Sequence, residues 1–241
     1  MSRLSGIPVV YGIDPYNEGT IQEHNLGAIG YDADGRKFKY AKFGAGLTAG
    51  NLLQAPAEDT NEQGLSPAAN AAIGATSVSI TCGGTIAANL FADGYLVVAS
   101  TPGNGISYKI KSHPALASAT AATIELFEPL KVAITTSSTV DLVMNPCKNV
   151  IQNPTTASSS PVGVAVIAGT SGSYGWIQVA GAGMVLAQGT ITVGGLVVAS
   201  NGTAGAVEAA ANDSTEAQAP VGVALTGIAT AENGILNLML G

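Results

Sequence analysis

Residues 30–46 read GYDADGRKFKYAKFGAG, and the carboxylates of Asp32 and Asp34 have the spacing with which a calcium loop begins. Such a loop needs oxygen ligands at positions 1, 3, 5, 7 and 9 and a bidentate acid at position 12. Counted from Asp32, position 3 is Asp34, but position 5 is Arg36 and position 12 is Phe43. A guanidinium and a phenyl ring cannot ligate calcium. The flanks GAIGYD and RKFKYAKF alternate as strands, with Phe38 and Tyr40 on one face and Lys37 and Lys39 on the other. Asp32–Gly35 therefore reads as a hairpin turn, with Gly35 supplying the left-handed backbone that the turn needs.

Other residue types that carry chemistry lack the right spacing. The histidines, His24 and His113, fall in no HxxxH, HExxH or Cys/His pattern, so no zinc site is expected. His113 precedes Pro114 and reads as a loop residue, and His24 as a surface or interface side chain. There is no GxSxG elbow and no GxxxxGK[ST] phosphate loop. The glycine-rich GTSGSYG at 169–175 reads as a turn before a strand. Carboxylate pairs at Glu58/Asp59 and Asp213/Glu216 lie in polar stretches with nothing to set them across a cleft, as glycoside hydrolysis would require. Asn201-Gly202-Thr203 and Asn212-Asp213-Ser214 match glycosylation acceptors, read here as chance in a Ser/Thr-rich chain. Tyr174 and Trp176 are expected in a core or a subunit interface. Neither catalytic residues nor a cofactor or metal site is expected.

Composition points the same way. Only 10 % of the 241 residues are charged while 46 % are hydrophobic, against roughly 25 % charged in an average soluble domain. Such a chain has little charge to cover an isolated surface, which suits extensive contact with other subunits. Five basic residues (Arg3, Arg36, Lys37, Lys39, Lys42) lie in the first 42 positions, balanced by five acids; the remainder carries the whole net charge of −7. The body of the chain has no basic stripe to displace counterions from phosphates, so nucleic acid is not an expected partner. The longest apolar runs are too short to span a bilayer, and the N-terminus lacks a signal-peptide pattern, so no membrane association is expected. Cys82 and Cys147 read as two buried free thiols of a protein made in a reducing cytoplasm.

The elements that would position these residues are strands. SVSIT (77–81), GYLVVAS (94–100), ISYKIKS (106–112), ATIELF (122–127) and TVDLVM (139–144) are short β-branched runs between turn residues. The pattern resumes after position 160. Alanine-rich stretches at 67–75 and 114–123 carry some helix propensity. There are internal echoes: PVGVAV (161–166) and PVGVAL (220–225), DGYLVVAS (93–100) and GGLVVAS (194–200), FGAGLTAG (43–50) and AGAGMVLAQG (180–189). These suggest repeated strand-turn-strand devices. Polar, proline-bounded stretches at 56–67 and 153–161 divide the chain. The expected architecture is all-β with little helix: an extended N-terminal arm with a hairpin (1–56), a middle β unit (57–153) that is a possible insertion, and a C-terminal β unit (154–241), both units small barrels or sandwiches. Deleting residues 1–42 is expected to leave the β body folded.

The hairpin's Arg36, Lys37, Lys39 and Lys42 form the one concentrated basic stretch, which reads as a docking element for an acidic partner. The run GTIQEHNLGAIGYDADGRKFKYAKFGAGLTAGNLLQAP (19–56) resembles the N-terminal segment of virion structural proteins of tailed bacteriophages, where a DGR-aromatic-basic-Tyr hairpin precedes AGxLxQ. ADGYLVVASTPGNGISYKIKSHPA (92–115) and the ending at 193–240 are similar to the same group. The resemblance implies a capsid decoration, or cement, protein: a homotrimer on the outer surface of the capsid, bound to the major capsid protein and made in the host cytoplasm. A head-fibre or tail receptor-binding component is the alternative.

Overall fold

The computed structural model describes residues 9–210 and 219–241. The described chain is almost entirely strand, with one 3₁₀ turn at Thr60–Glu62. It divides into two compact units, residues 1–57 with 146–241, and residues 58–145. The strands are, in order, β1 (Val9–Tyr11), β2 (Glu18–Gly19), β3 (Ile29–Tyr31), β4 (Lys37–Lys42) and β5 (Leu52–Gln54). The second unit holds β6 (Ser77–Thr81), β7 (Tyr95–Val98), β8 (Ser107–Ser112), β9 (Ala121–Leu126) and β10 (Val140–Val143). The first unit then resumes with β11 (Ile151–Gln152), β12 (Pro161–Ala165), β13 (Tyr174–Leu186), β14 (Leu196–Ala199), β15 (Val207–Ala209), β16 (Pro220–Ala224) and β17 (Asn233–Met239).

The N-terminal stretch differs from the extended arm expected of it. Residues 1–8 lie outside the described residues, but from Val9 onward the stretch is built into the sheet. β4 is an interior strand, paired with β3 on one side and β13 on the other, and Phe38, Tyr40 and Ala41 are buried. Removing residues 1–42 would therefore take an interior strand out of the sheet. The division expected at 153 falls at 145 instead, because Ile151–Gln152 pair with Leu53–Gln54 in the first unit.

In the second unit, β10-β7-β8-β9-β6 form one antiparallel sheet. Residues 65–68 close it. Leu65 bridges Val140 and Pro67 bridges Ile80, so the first and last strands are joined into a small barrel. The interior is filled by residues such as Ile80, Leu96, Tyr108, Ile110, Ile124 and Leu142. Closure removes unpaired edges, which suits a unit this short of charge.

The first unit is an internal duplication, and the register of its ladders shows it. Leu52, Leu53 and Gln54 face Val164, Gly163 and Pro161; Leu196, Val197 and Val198 face Val223, Gly222 and Pro220, with a bulge at the same place. Val164 faces Gln178 as Val223 faces Asn237, and Trp176 faces Tyr40 as Ile235 faces Met184. The parallel bridge Phe43–Val150 recurs as Ala187–Val207, and Leu47–Gly169 as Ile191–Ile228. Residues 37–55 thus correspond to 181–199 (offset 181 − 37 = 144), and 161–180 to 220–239 (offset 220 − 161 = 59). The echo of FGAGLTAG is with residues 187–194, not 180–189. Each repeat has its own core: Ala41, Phe43, Leu47, Leu53, Val150, Ala165 and Ile177 in the first, and Val185, Ala187, Ile191, Val197, Val207, Ala224 and Leu236 in the second. The β14–β15 connection is the short Ser200–Ala206 loop, whereas the matching β5–β11 connection contains the whole second unit.

One local device precedes eight of the seventeen described strands, in both units. A residue makes a two-way backbone bridge, the chain turns, and a strand follows five or more residues after the bridge. Eight such turns close with the hydrogen bonds Asn51→Thr48, Ala75→Ala72, Leu90→Ala87, Thr120→Ala117, Ser138→Thr135, Ser173→Thr170, Gly195→Thr192 and Glu232→Ala229. Seven place a left-handed residue before the donor, among them Gly50, Gly194, Ala119 and Ala231, the signature of a type II turn. This explains the alanine-rich stretches. Ala71 and Leu116 are bridge residues, and the left-handed Gly74 and Ala119 prevent a helix from starting there.

Candidate interaction surfaces

The turn of the β3–β4 hairpin is closed by Asp32 N–H to the Arg36 carbonyl (3.1 Å) and Gly35 N–H to the Asp32 carbonyl (3.0 Å), with Gly35 at φ +84°. Both carboxylates turn onto Arg36. Its Nη2 donates to Asp32 at 2.6 Å, its Nε to Asp34 at 2.7 Å and its Nη1 to Tyr16 Oη at 3.3 Å. The pair that could have begun a calcium site instead neutralises a guanidinium.

The four cations of the hairpin are dispersed. Arg36 is held within the turn. Lys37 and Lys39 share the side of β4 opposite Phe38 and Tyr40, each half-buried. A Cβ built on Gly241 would fall 2.7 Å from Lys39 Nζ. Lys42 lies on the Tyr40 side, opposite Tyr174 in the ladder, with its ammonium 5.7 Å from that ring. Lys37 and Lys39 alone share a side.

The Tyr40 side is an aromatic cluster. Tyr40 stacks on Tyr174 (6.2 Å), Trp176 meets Tyr40 edge-on (5.2 Å), and the half-buried His24 packs on Tyr40 and Trp176 at 5.1 and 5.3 Å. The N-terminal segment covers it through Val10, Ile13, Leu26 and Ala28. Burial raises the Tyr40 phenol pKa, and Tyr40 Oη accepts from Glu23 N–H at 3.2 Å. Beside the cluster is a cleft of about 240 Å³ lined by Asp14, Glu18, Glu23, His24, Tyr174 and Trp176. Glu18 accepts from Thr170 N–H and Oγ1, both at 2.7 Å, which lowers its pKa. Trp176 thus belongs to packing, one of the two settings expected of it, whereas His24, expected at a surface or interface, is half-buried against the cluster.

The matching face of the second repeat is bare. Across β13, β17, β16 and β14 it presents Met184, Ile235 and Leu225 in one row, and Ala182, Asn237, Val223 and Leu196 in the next. Met184 is 52 % exposed, Leu196 50 % and Leu225 47 %, whereas the corresponding Tyr40 and Leu52 are 4 % and 0 %. None of the seven is charged. At one end a cavity of about 310 Å³ opens between Met184, Ile235 and Gln178 on one side and Tyr16, Asp34 and Arg36 on the other. Sequence reading missed this face. The PVGVAV/PVGVAL echo was the available signal, since two copies of one sheet with different partners must differ in what they cover.

The remaining candidates are structural. His113 lies in the loop after β8, as expected, and is buried there: Nε2 accepts from Phe91 N–H at 3.0 Å, and Nδ1 lies 2.7 Å from the Pro114 carbonyl. Cys82 and Cys147 are buried free thiols. Asp59 caps the 3₁₀ turn by accepting from Asn61 N–H at 3.2 Å, while Asp213, Glu216 and the Asn212 acceptor lie outside the described residues. Among the described residues no three His, Cys, Asp or Glu side chains are grouped to hold a metal. Glu62, not singled out beforehand, is fully buried, with one oxygen accepting from Gly84 N–H at 2.6 Å and the other without a hydrogen-bond partner.

No family model, curated protein or solved structure matches the chain.

Proposed function

We propose that this chain is a structural subunit of a phage virion that binds the outer surface of the capsid and stabilises it without catalysis. The observation that carries this reading is the uncharged, exposed sheet face of the second repeat. Patches of this kind on soluble proteins mark contacts with other proteins. The charge-poor, acidic body and the likeness of residues 19–56 to phage virion proteins give further support. A subunit that binds only the mature lattice stabilises it by mass action, with modest contacts multiplied by symmetry. In this reading Lys37 and Lys39 meet an acidic site on the major capsid protein, and the chain works as a homotrimer.

The test is to add purified protein to expanded capsids that lack it, count bound copies by cryo-EM and follow the temperature at which the shells open. Hundreds of copies on the outer shell and a raised opening temperature are expected. Lys37→Glu with Lys39→Glu should weaken binding about tenfold or more, with less salt dependence than the parent. Absence from the shell would overturn the reading. A second reading, host-receptor binding from a head fibre or tail, is favoured by the cleft that sets carboxylates beside Tyr174 and Trp176. A count of a few to tens of copies, confined to the tail or one vertex, would select it.

A further inference from the structure

The duplication shows which side-chain groups of the first repeat the sheet itself does not require. Trp176 faces Tyr40 where Ile235 faces Met184 in the second repeat, so the matching ladder is built with no polar tip at either position. In the first repeat both tips lack a partner. Trp176 is only 6 % exposed, and its indole N–H donates to no acceptor among the described residues. That nitrogen is not sealed from solvent. The Tyr40 Oη accepts from Glu23 N–H, but its own proton also has no acceptor among the described residues. Groups as buried as these are nearly always hydrogen-bonded, and an exception asks for a reason. Both residues line the cleft of about 240 Å³, together with the carboxylates of Asp14, Glu18 and Glu23. Glu18 is fixed there twice, opposite Gly175 in the β2–β13 ladder and by its two hydrogen bonds from Thr170. Asp14 accepts from Tyr16 N–H at 3.0 Å through one oxygen, which leaves the other to a ligand.

We infer that this cleft binds one uncharged sugar ring, a hexopyranose at the exposed end of a glycan. The inference rests on the reading of the cleft as a receptor site and names the ligand class of that site. Size comes first. Pockets for drug-sized ligands run to roughly 300–1,000 Å³, and this smaller cleft has room for a single ring with its hydroxyls. Charge excludes anions, because three carboxylates line the cleft and, among the described residues, no Lys or Arg does. Lys42, with its ammonium 5.7 Å from the Tyr174 ring, stands beside the cleft and not in its lining. A bare ammonium or guanidinium would suit the carboxylates but has no lone pair for the Trp176 N–H or the Tyr40 O–H. An apolar group would strip water from all five polar groups and pair with none of them. A hydroxyl both donates and accepts. A polyol ring therefore meets the carboxylates and the two donors at once, while its C–H faces pack against the rings of Tyr174 and Trp176.

Trp176 is the chain's single tryptophan, so its emission reports on the cleft directly. The full chain is titrated with the methyl glycosides of glucose, galactose, mannose and N-acetylglucosamine. At least one should give a saturable change in emission, with the millimolar dissociation constant expected of so small a contact. Sodium glucuronate and methylammonium chloride at the same concentrations should leave the emission unchanged. Asp14→Ala and Glu23→Ala, each on an exposed side chain, should each weaken binding about tenfold without lowering the melting temperature. Glu58→Ala, equally exposed but in the inserted barrel, should leave binding unchanged. Trp176→Phe keeps an aromatic ring and removes the N–H; followed by saturation-transfer NMR, it should weaken binding by a similar factor. Should that variant fail to fold, the two exposed carboxylates still decide. Absence of a saturable change with all four glycosides, binding of methylammonium as tight as that of the best glycoside, or full affinity in both carboxylate variants would overturn the inference. The outcomes are separable from those for location on a particle: a chain that coats the shell and binds sugar keeps this site and loses the tail location, and a tail component with an inert cleft does the reverse.

Discussion

Glu62 sits at the start of the segment that closes the inserted barrel, and its side chain has no exposed surface. Gly83 and Gly84 fold over it so closely that a Cβ on Gly83 would fall on the Asn61 carbonyl. Burial raises the carboxyl pKa above its usual 4.5, the Gly84 hydrogen bond opposes the rise, and Asp59 adds to it. The adjacent Cys82 thiol is pushed up as well, first by burial and then by the Glu62 charge. The consequence for stability has a definite sign. A carboxyl whose folded pKa exceeds its unfolded pKa contributes most below the unfolded value, and that contribution is lost as pH rises through the folded value. Glu62→Gln removes the titration but keeps an acceptor for Gly84. The difference in melting temperature, variant minus parent, should therefore rise as pH increases from below the ordinary carboxyl range through the raised value. A flat difference would show that Glu62 does not titrate in the fold. Nothing in PAEDTNEQGLSP distinguishes Glu62 from Glu58, because burial here is decided by a glycine loop twenty residues away. By contrast, the Asp32–Gly35 turn was legible because Arg36 and Phe43 stand where ligands would have to be.

At the scale of elements, the bridge-and-turn device sets the strand starts, and its left-handed position is filled by different residues in different copies. Gly194 is at φ +76° with open space around its Cβ position, so Gly194→Ala isolates the backbone cost, about 1–2 kcal/mol. Ala119 and Ala231 already bear it, at φ 57° and 62°. Ala119→Gly and Ala231→Gly should raise the unfolding free energy, and Gly194→Ala should lower it, each by about 1 kcal/mol after the glycine entropy term. Denaturant titration of the three variants checks the pattern, and like-signed shifts at all three would refute the shared device. The strands themselves were readable from their alternation, and SVSIT is β6 to the residue. The duplication was only half readable. Equivalent positions keep apolar class and not identity, as Tyr40 and Met184 or Phe43 and Ala187 show, so an eye for identical letters finds PVGVA and misaligns FGAG. Backbone register carries the correspondence that side-chain identity has lost.

For the whole molecule, the duplication makes the inserted barrel an addition to a complete framework. In the second repeat, seven residues from Ser200 to Ala206 connect β14 to β15, and Ala206 N–H to the Thr203 carbonyl helps close that loop. The first repeat reaches the equivalent β11 by way of residues 58–145. The barrel's own ends lie side by side, since Leu65 bridges Val140 and Gln63 Nε2 reaches the Leu142 carbonyl at 3.4 Å. A segment that leaves and returns at one place, and fills its own core, closes no part of the other unit's core. Replacing residues 58–145 by a short loop of sequence SNGTAGA, copied from the second repeat, should therefore leave the two-repeat unit folded, with its Trp176 fluorescence unchanged. Residues 58–145 expressed alone should fold as a barrel with a cooperative transition of their own. Collapse of the two-repeat unit on excision would mean that the barrel is part of the framework, and the duplication would then explain the ladder registers without explaining stability.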